Sequence, residues 1–259
     1  MQKDDMNRGT MKTLISEYKI IALSVIFFFH PFFCYGAEII SFEYPPYLDF
    51  DNKGIFANIN DEINSVSEEE FSVTPLPRKR AVQLFEKQKN LIFIGEKRYF
   101  PGKDKYLRSC PIMESGLVLV YLKSRQEELS FSDIEDLKGK KVGVSLGSNL
   151  TPVFTDKGII VEEWSRLEGN IKKLDFERID YWGTTDITAS ALINRYFKNQ
   201  KDKFVVQGFS KPFVIEAVAW KDSEGDKMLD IYCRALGKLK KNGRLEKIIG
   251  NFSYEEAGY

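Results

Sequence analysis

Apolar residues along this chain fall into two interleaved patterns. Short, nearly continuous runs occupy 39–42, 71–76, 91–94, 116–122, 141–146, 159–164, 179–182, 204–206 and 214–220, which reads as strands. Between them, apolar positions recur at helical spacing. Ile55, Ile59, Ile63 and Val66 share one face of a predicted helix over 55–66, and Ala81, Val82, Leu84 and Phe85 mark another over 78–87. Further helices are predicted at 133–139, 167–176, 186–197, 226–241 and 244–252, with one more opened by Gly147-Ser148-Asn149. Turn residues punctuate the series: Tyr44-Pro45-Pro46-Tyr47 after the first strand, Gly139 after a short helix, and Asn242-Gly243 between the last two helices. Strands alternating with amphipathic helices predict a layered α/β fold.

The N-terminal segment breaks this pattern. Lys12 and Lys19 precede an apolar stretch, Ile20 to Phe33, that relaxes into Cys34-Tyr35-Gly36-Ala37. This order is that of a secretory leader, with cleavage expected after Gly36 and translation starting at Met1 or Met11. The stretch is shorter than the roughly 20 apolar residues of a membrane-spanning helix, and His30-Pro31 interrupts it. The expected mature chain begins at Ala37 and is located in the periplasm.

Removing residues 1–36 changes the chemical inventory. Four basic and three acidic residues leave with the leader, so 34 basic and 35 acidic residues remain of the 38 and 38 in the whole chain. That balance gives no electrostatic reason to seek nucleic acid. The one histidine, His30, lies in the leader. The mature chain therefore has no Ser-His-Asp or Cys-His triad and no HExxH zinc site; no metal or cofactor is expected. Of three cysteines, Cys110 and Cys233 remain. They either pair as a disulfide or sit as two separate buried thiols, and their spacing leaves both open.

Several segments, taken in order, carry a family likeness. They are Tyr44-Pro45-Pro46-Tyr47, Gly54-Ile55-Phe56, Pro77-Arg78-Lys79-Arg80-Ala81, Ser109-Cys110-Pro111-Ile112, Asp136 to Val144 followed by Gly147-Ser148, Arg178-Ile179-Asp180, and Ala235-Leu236 with Asn242-Gly243. Together the mature chain resembles the family 3 extracellular solute-binding proteins, the amino-acid-type receptors of ABC importers. The resemblance implies a type II periplasmic-binding-protein fold: two lobes, each a mixed sheet flanked by helices, joined by a two-crossover hinge. The lobes would comprise 37–114 with 207–259, and 115–206. It also implies a monomeric, non-catalytic protein that closes on a small polar solute, an amino acid or a related compound, and presents it to a membrane permease. The same fold serves two other classes, cyclohexadienyl-dehydratase-like enzymes and ligand sensors for membrane receptors.

The resemblance nominates site residues. Counting back from Ser109-Cys110-Pro111 puts Lys103 where the family has a carboxylate-gripping arginine, with Arg98 close enough to take over. A lysine offers a point charge where a guanidinium offers a planar fork. Ser148 and Asn149, at a strand-to-helix turn, would present donors to an anion. Asp186 corresponds to the acid that receives an ammonium. Tyr47, in the proline-rich loop, would stack on the ligand, and Arg80 would bond the ligand or brace the loops.

Overall fold

The computed structural model describes residues 37–254. The leader, with His30 and Cys34, lies outside the described residues. From Ala37 the chain builds two five-stranded sheets. The first collects β1 (Ala37–Phe42), β2 (Phe71–Leu76), β3 (Ile92–Gly95), β4 (Leu107–Ser115) and β10 (Phe213–Trp220), in the order β2-β1-β3-β10-β4. The second collects β5 (Leu117–Leu122), β6 (Lys141–Ser145), β7 (Ile160–Trp164), β8 (Tyr181–Thr185) and β9 (Phe204–Gly208), in the order β7-β6-β8-β5-β9. In each sheet three strands run parallel, and the strand inserted next to them is antiparallel. The two sheets thus share one topology, and the expected two-lobed α/β architecture with mixed sheets is present.

Strand periodicity sorts the cores. In β1, Ile39 faces a cluster with α1 (Ile55–Asn64), α7 (Glu224–Lys241) and α8 (Arg244–Tyr254). Its neighbour Ile40 faces the opposite side, with Phe85 of α2 (Arg78–Lys87), Phe93 and Trp220. Successive side chains point to opposite faces of a strand, so this alternation covers both faces of the first sheet. The second sheet is sandwiched the same way. Val118, Val120 and Trp182 pack toward α5 (Leu167–Asp175) and α6 (Asp186–Tyr196), while Leu119, Tyr121 and Tyr181 pack toward Phe131 and Phe154 of α4 (Leu150–Thr155). The remaining helix, α3 (Gln126–Leu129), is a single turn, and the segment read as a helix over 133–139 is a 3-10 turn at Ile134–Leu137 capped by Asp133.

The chain passes between the sheets twice, from β4 to β5 through Gly116 and from β9 to β10 through residues 209–212. β4 lies outside the strands that the apolar pattern predicts, whose nearest run starts at Gly116. Polar residues Arg108, Ser109 and Glu114 and an internal Pro111 hid it, since proline removes a ladder donor. It survives because β4 is the edge strand of its sheet, and the ladder with β10 shifts register between Ile215 and Glu216, beside Pro111.

Cys110 of β4 is disulfide-bonded to Cys233 of α7, with Cα atoms 6.1 Å apart. Nearby on α7, Tyr232 is fully buried and packs edge-on against Phe71 at 5.3 Å, yet its hydroxyl has no hydrogen-bond partner. Burial pushes this phenol's pKa up. Tyr232→Phe removes an unpaired polar group without opening a cavity. It should stabilise the protein by about 1 kcal/mol, read as a rise of about 2–4 °C in Tm.

Candidate functional site

Between the two sheets lies a cleft open to solvent. The Tyr44–Tyr47 loop forms one wall; the carboxyl ends of β3 and β8, the turn after β6, the start of α2 and residues of β5 and β10 beside the crossovers add to the lining. Clefts at strand ends in open α/β sheets are where ligands bind.

The loop is held from below. Tyr44 N–H donates to the Leu48 carbonyl at 2.8 Å. The carbonyls of Pro46 and Tyr47 accept from the N–H groups of Ile55 and Phe56, at 3.0 and 2.9 Å, so the loop satisfies the first orphan donors of α1. Gly54, at φ 123° and ψ −170°, makes that approach possible. Tyr44 and Tyr47 stack with ring centroids 5.9 Å apart.

These two tyrosines join the halves of the cleft. Tyr44 Oη shares a hydrogen bond with Thr184 Oγ1 at 3.1 Å. The Tyr47 hydroxyl, buried, lies 2.7 Å from Ser115 Oγ and 3.0 Å from Thr185 Oγ1. Ser115 donates to Asp186 Oδ1 and Thr185 donates to Thr188 Oγ1, so the single Tyr47 proton is the one left to serve both contacts. Burial raises the Tyr47 phenol well above its ordinary pKa, against the opposing effect of its hydrogen bonds with Ser115 and Thr185.

The charged lining consists of Arg78, Arg98 and Glu96. Glu96 is buried, and Arg98 grips it through two contacts, Nε to Oε2 at 2.6 Å and an Nη to Oε1 at 2.9 Å. Burial holds the Glu96 carboxyl above its usual pKa, while Arg98, and then Arg78, pull the other way. Arg78 opens α2. Its guanidinium lies over Phe42 at 4.7 Å and near Tyr99 at 5.9 Å, and it reaches across to the Gly147 carbonyl at 3.4 Å. No acidic residue sits in the first turn of α2 to offset it.

The structure divides the residues nominated from sequence. Tyr47, Ser148 and Asn149 line the cleft. Arg80 and Lys103 are not among its lining residues. Arg80 is exposed on the outer face of α2. Lys103 pairs with Glu86 at 2.5 Å and lies 5.7 Å from the Trp220 ring, on the far side of the first lobe. The insertion of 3-10 turns at Lys97–Tyr99 and Asp104–Tyr106 breaks the count back from Ser109, and it is Arg98 that faces the cleft. Asp186 is turned to the crossover. Its carboxylate accepts from Ser115 Oγ at 2.8 Å, Gly116 N–H at 3.0 Å and its own helix at Ile187 N–H, 2.7 Å. The turn at Gly147 is also engaged: Glu163 accepts from Gly147 N–H and Thr151 Oγ1.

Arg78, Thr184 and Thr185 were missed by sequence reasoning. A signal existed for Arg78. It precedes Ala81 by three positions and Phe85 by seven, so it shares the buried face of α2, whereas Arg80 does not. Thr185 caps α6 by accepting from Thr188 N–H, an ordinary Thr cap signature.

Because Asp186 ties the crossover to α6, Asp186→Ala should act on stability more than on the cleft. Loss of hydrogen bonds to a charged acceptor is worth about 2 kcal/mol, or about 4–8 °C of Tm. A variant that melts like the parent but loses ligand would return Asp186 to a ligand-holding role.

Two mixed sheets of one topology, a double crossover and a cleft lined from both define the type II periplasmic-binding-protein class of fold. The comparisons agree. The chain is 28% identical over 161 residues to the probable amino-acid-binding protein YxeM of Bacillus subtilis, covering 60% of this chain and 58% of that protein. It is 31% identical over 133 residues to the arginine-binding extracellular protein ArtP of the same organism, covering 48% of each. The chain thus spans about half the length of the curated relatives it matches. The GluR0 ligand-binding core in complex with L-glutamate superimposes with a TM-score of 0.66 at 13% identity, over 84% of this chain and 97% of that one. No family model matches the chain.

Proposed function

We propose that this protein is a solute receptor that captures a small amino-acid-like ligand by closing its two lobes, and hands it to the permease of an ABC importer. The observation that carries this reading is the cleft itself: both sheets contribute to it, and hydrogen bonds between Tyr44 and Thr184 and between Tyr47 and Thr185 span it. Closure of that kind is a population shift driven by the ligand's better contacts in the closed state. The similarity to two amino-acid-binding proteins supports the ligand class. Among the proteins compared, one is named for arginine and another holds glutamate, so the charge of the ligand follows from the cleft and not from the fold.

The receptor works outside the cytoplasm, exported by a cleaved leader over 1–36, as a monomer. The Cys110–Cys233 disulfide supports an oxidising compartment. Among the described residues no helix is long and apolar enough to cross a membrane. We read it as a receptor without catalysis: its similarity is to two binding proteins, and Glu96, the carboxylate among the cleft's lining residues, is engaged by Arg98.

Thermal melting of the purified chain against amino acids, small peptides, amines and organic acids tests the reading. A ligand at a hundredfold excess over its Kd should add about 2.7 kcal/mol of stability, and should be recovered chemically unchanged. A flat response across all four classes, or turnover of the ligand, would overturn it.

A further inference from the structure

The cleft's charges do not balance. Glu96 and Arg98 neutralise each other through two contacts, which leaves Arg78. Among the described residues Arg78 forms no ion pair; Glu96 acts on it only at longer range, as a carboxylate already held by Arg98. The Arg78 guanidinium meets the faces of Phe42 and Tyr99 and a single carbonyl at 3.4 Å. Aromatic faces hold a guanidinium in place without cancelling its hydrogen-bonding fork. The Asp186 carboxylate, the other acid that could have received an ammonium, is spent on Ser115, Gly116 and Ile187. The rest of the lining is mostly aromatic and aliphatic, including Tyr44, Tyr47, Leu117 and Phe213.

We infer that the cleft selects a carboxylate-bearing solute of zero or negative net charge with an apolar body, the carboxylate on Arg78, and that it discriminates against cationic amino acids. This rests on the receptor reading above and narrows it. A zwitterion offers its carboxylate to Arg78 and its ammonium to the Thr184 hydroxyl and the tyrosine faces. A second positive charge would enter a cleft whose lining already carries two guanidinium groups and one carboxylate, which Arg98 holds. Arg98 is therefore a specificity residue: it silences the acid that a cationic ligand would need.

Four probes separate the charges: 3-phenylpropanoate, L-phenylalanine, phenethylamine and L-arginine, titrated calorimetrically into the purified chain at pH 8. The two carboxylates without net positive charge should bind, and phenethylamine and L-arginine should bind at least tenfold more weakly. Arg78→Ala should weaken both carboxylates at least tenfold with its melting transition retained. Arg98→Ala, which frees Glu96, should strengthen L-arginine binding at least tenfold. This gain cannot arise from misfolding. Binding of L-arginine or phenethylamine as tight as that of 3-phenylpropanoate would overturn the inference while leaving the receptor reading intact. So would silence of all four probes beside a hit elsewhere in the wider panel. Silence across the whole panel would remove both.

Discussion

Gly54→Ala should lower Tm by about 6–12 °C and abolish ligand binding, the largest effect expected of any single methyl group added to this protein. At φ 123° an L side chain is strained wherever it points. Here a Cβ would also stand 2.5 Å from the Pro46 carbonyl oxygen and 2.7 Å from that of Tyr47. Both are backbone atoms, and both accept hydrogen bonds from the start of α1. Neither can retreat as a flexible side-chain tip would. Either the loop lifts off α1, exposing the Ile55 and Phe56 N–H groups, or the helix start unwinds. The combined cost is on the order of 3 kcal/mol, and each kcal/mol lowers Tm by about 2–4 °C in a chain of this size. The loop carries Tyr44 and Tyr47, so stability and binding fall together. Calorimetric melting with and without ligand checks this. A variant that loses stability but keeps its affinity would show that the loop's position is not set by Gly54.

Replacing both cysteines by alanine should cost about 2–5 kcal/mol. The bond closes a span of 123 residues, from the edge strand of the first sheet to α7, and that span contains the whole second sheet and both crossovers. In the chain-entropy account a loop of this length is worth about 4.7 kcal/mol through the unfolded state. The crosslink joins two elements of the first lobe and does not lie in the cleft. Ligand affinity in the folded variant should therefore stay near that of the parent. Urea titrations of the double variant, and of the parent with and without reductant, measure the cost. Equal midpoints in all three would show that the bond contributes nothing to stability.

Much of the fold was legible in the residues. The helices over 55–64, 78–87, 167–175 and 186–196, and the strands at 37–42, 71–76 and 141–145, lie where hydrophobic period placed them. β4 escaped because an edge strand buries less, tolerates proline, and so lacks a continuous apolar run. The site was less legible. Tyr47, Ser148 and Asn149 came with the loops that carry them. Lys103 was placed by counting residues across a segment that contains two 3-10 turns, and a count fails wherever local winding changes. Arg80 and Arg78 are two positions apart on one helix, and only their angle about its axis separates the exposed one from the one in the cleft.

By itself, the sequence determined most of the strands and helices, though not β4, and also where the chain turns and that two α/β units follow one another. Those properties depend on residues within one or two turns of each other, where period and turn chemistry suffice. The tertiary structure alone decided the pairings: Cys110 with Cys233, Asp186 with Ser115 and Gly116, Glu96 with Arg98, and Arg78 in no ion pair among the described residues. Coulombic, disulfide and hydrogen-bonding partners are chosen by distance in space. Apart from Glu96 and Arg98, those groups lie 70 residues or more apart in the chain, and packing two sheets around a cleft is what brings them together.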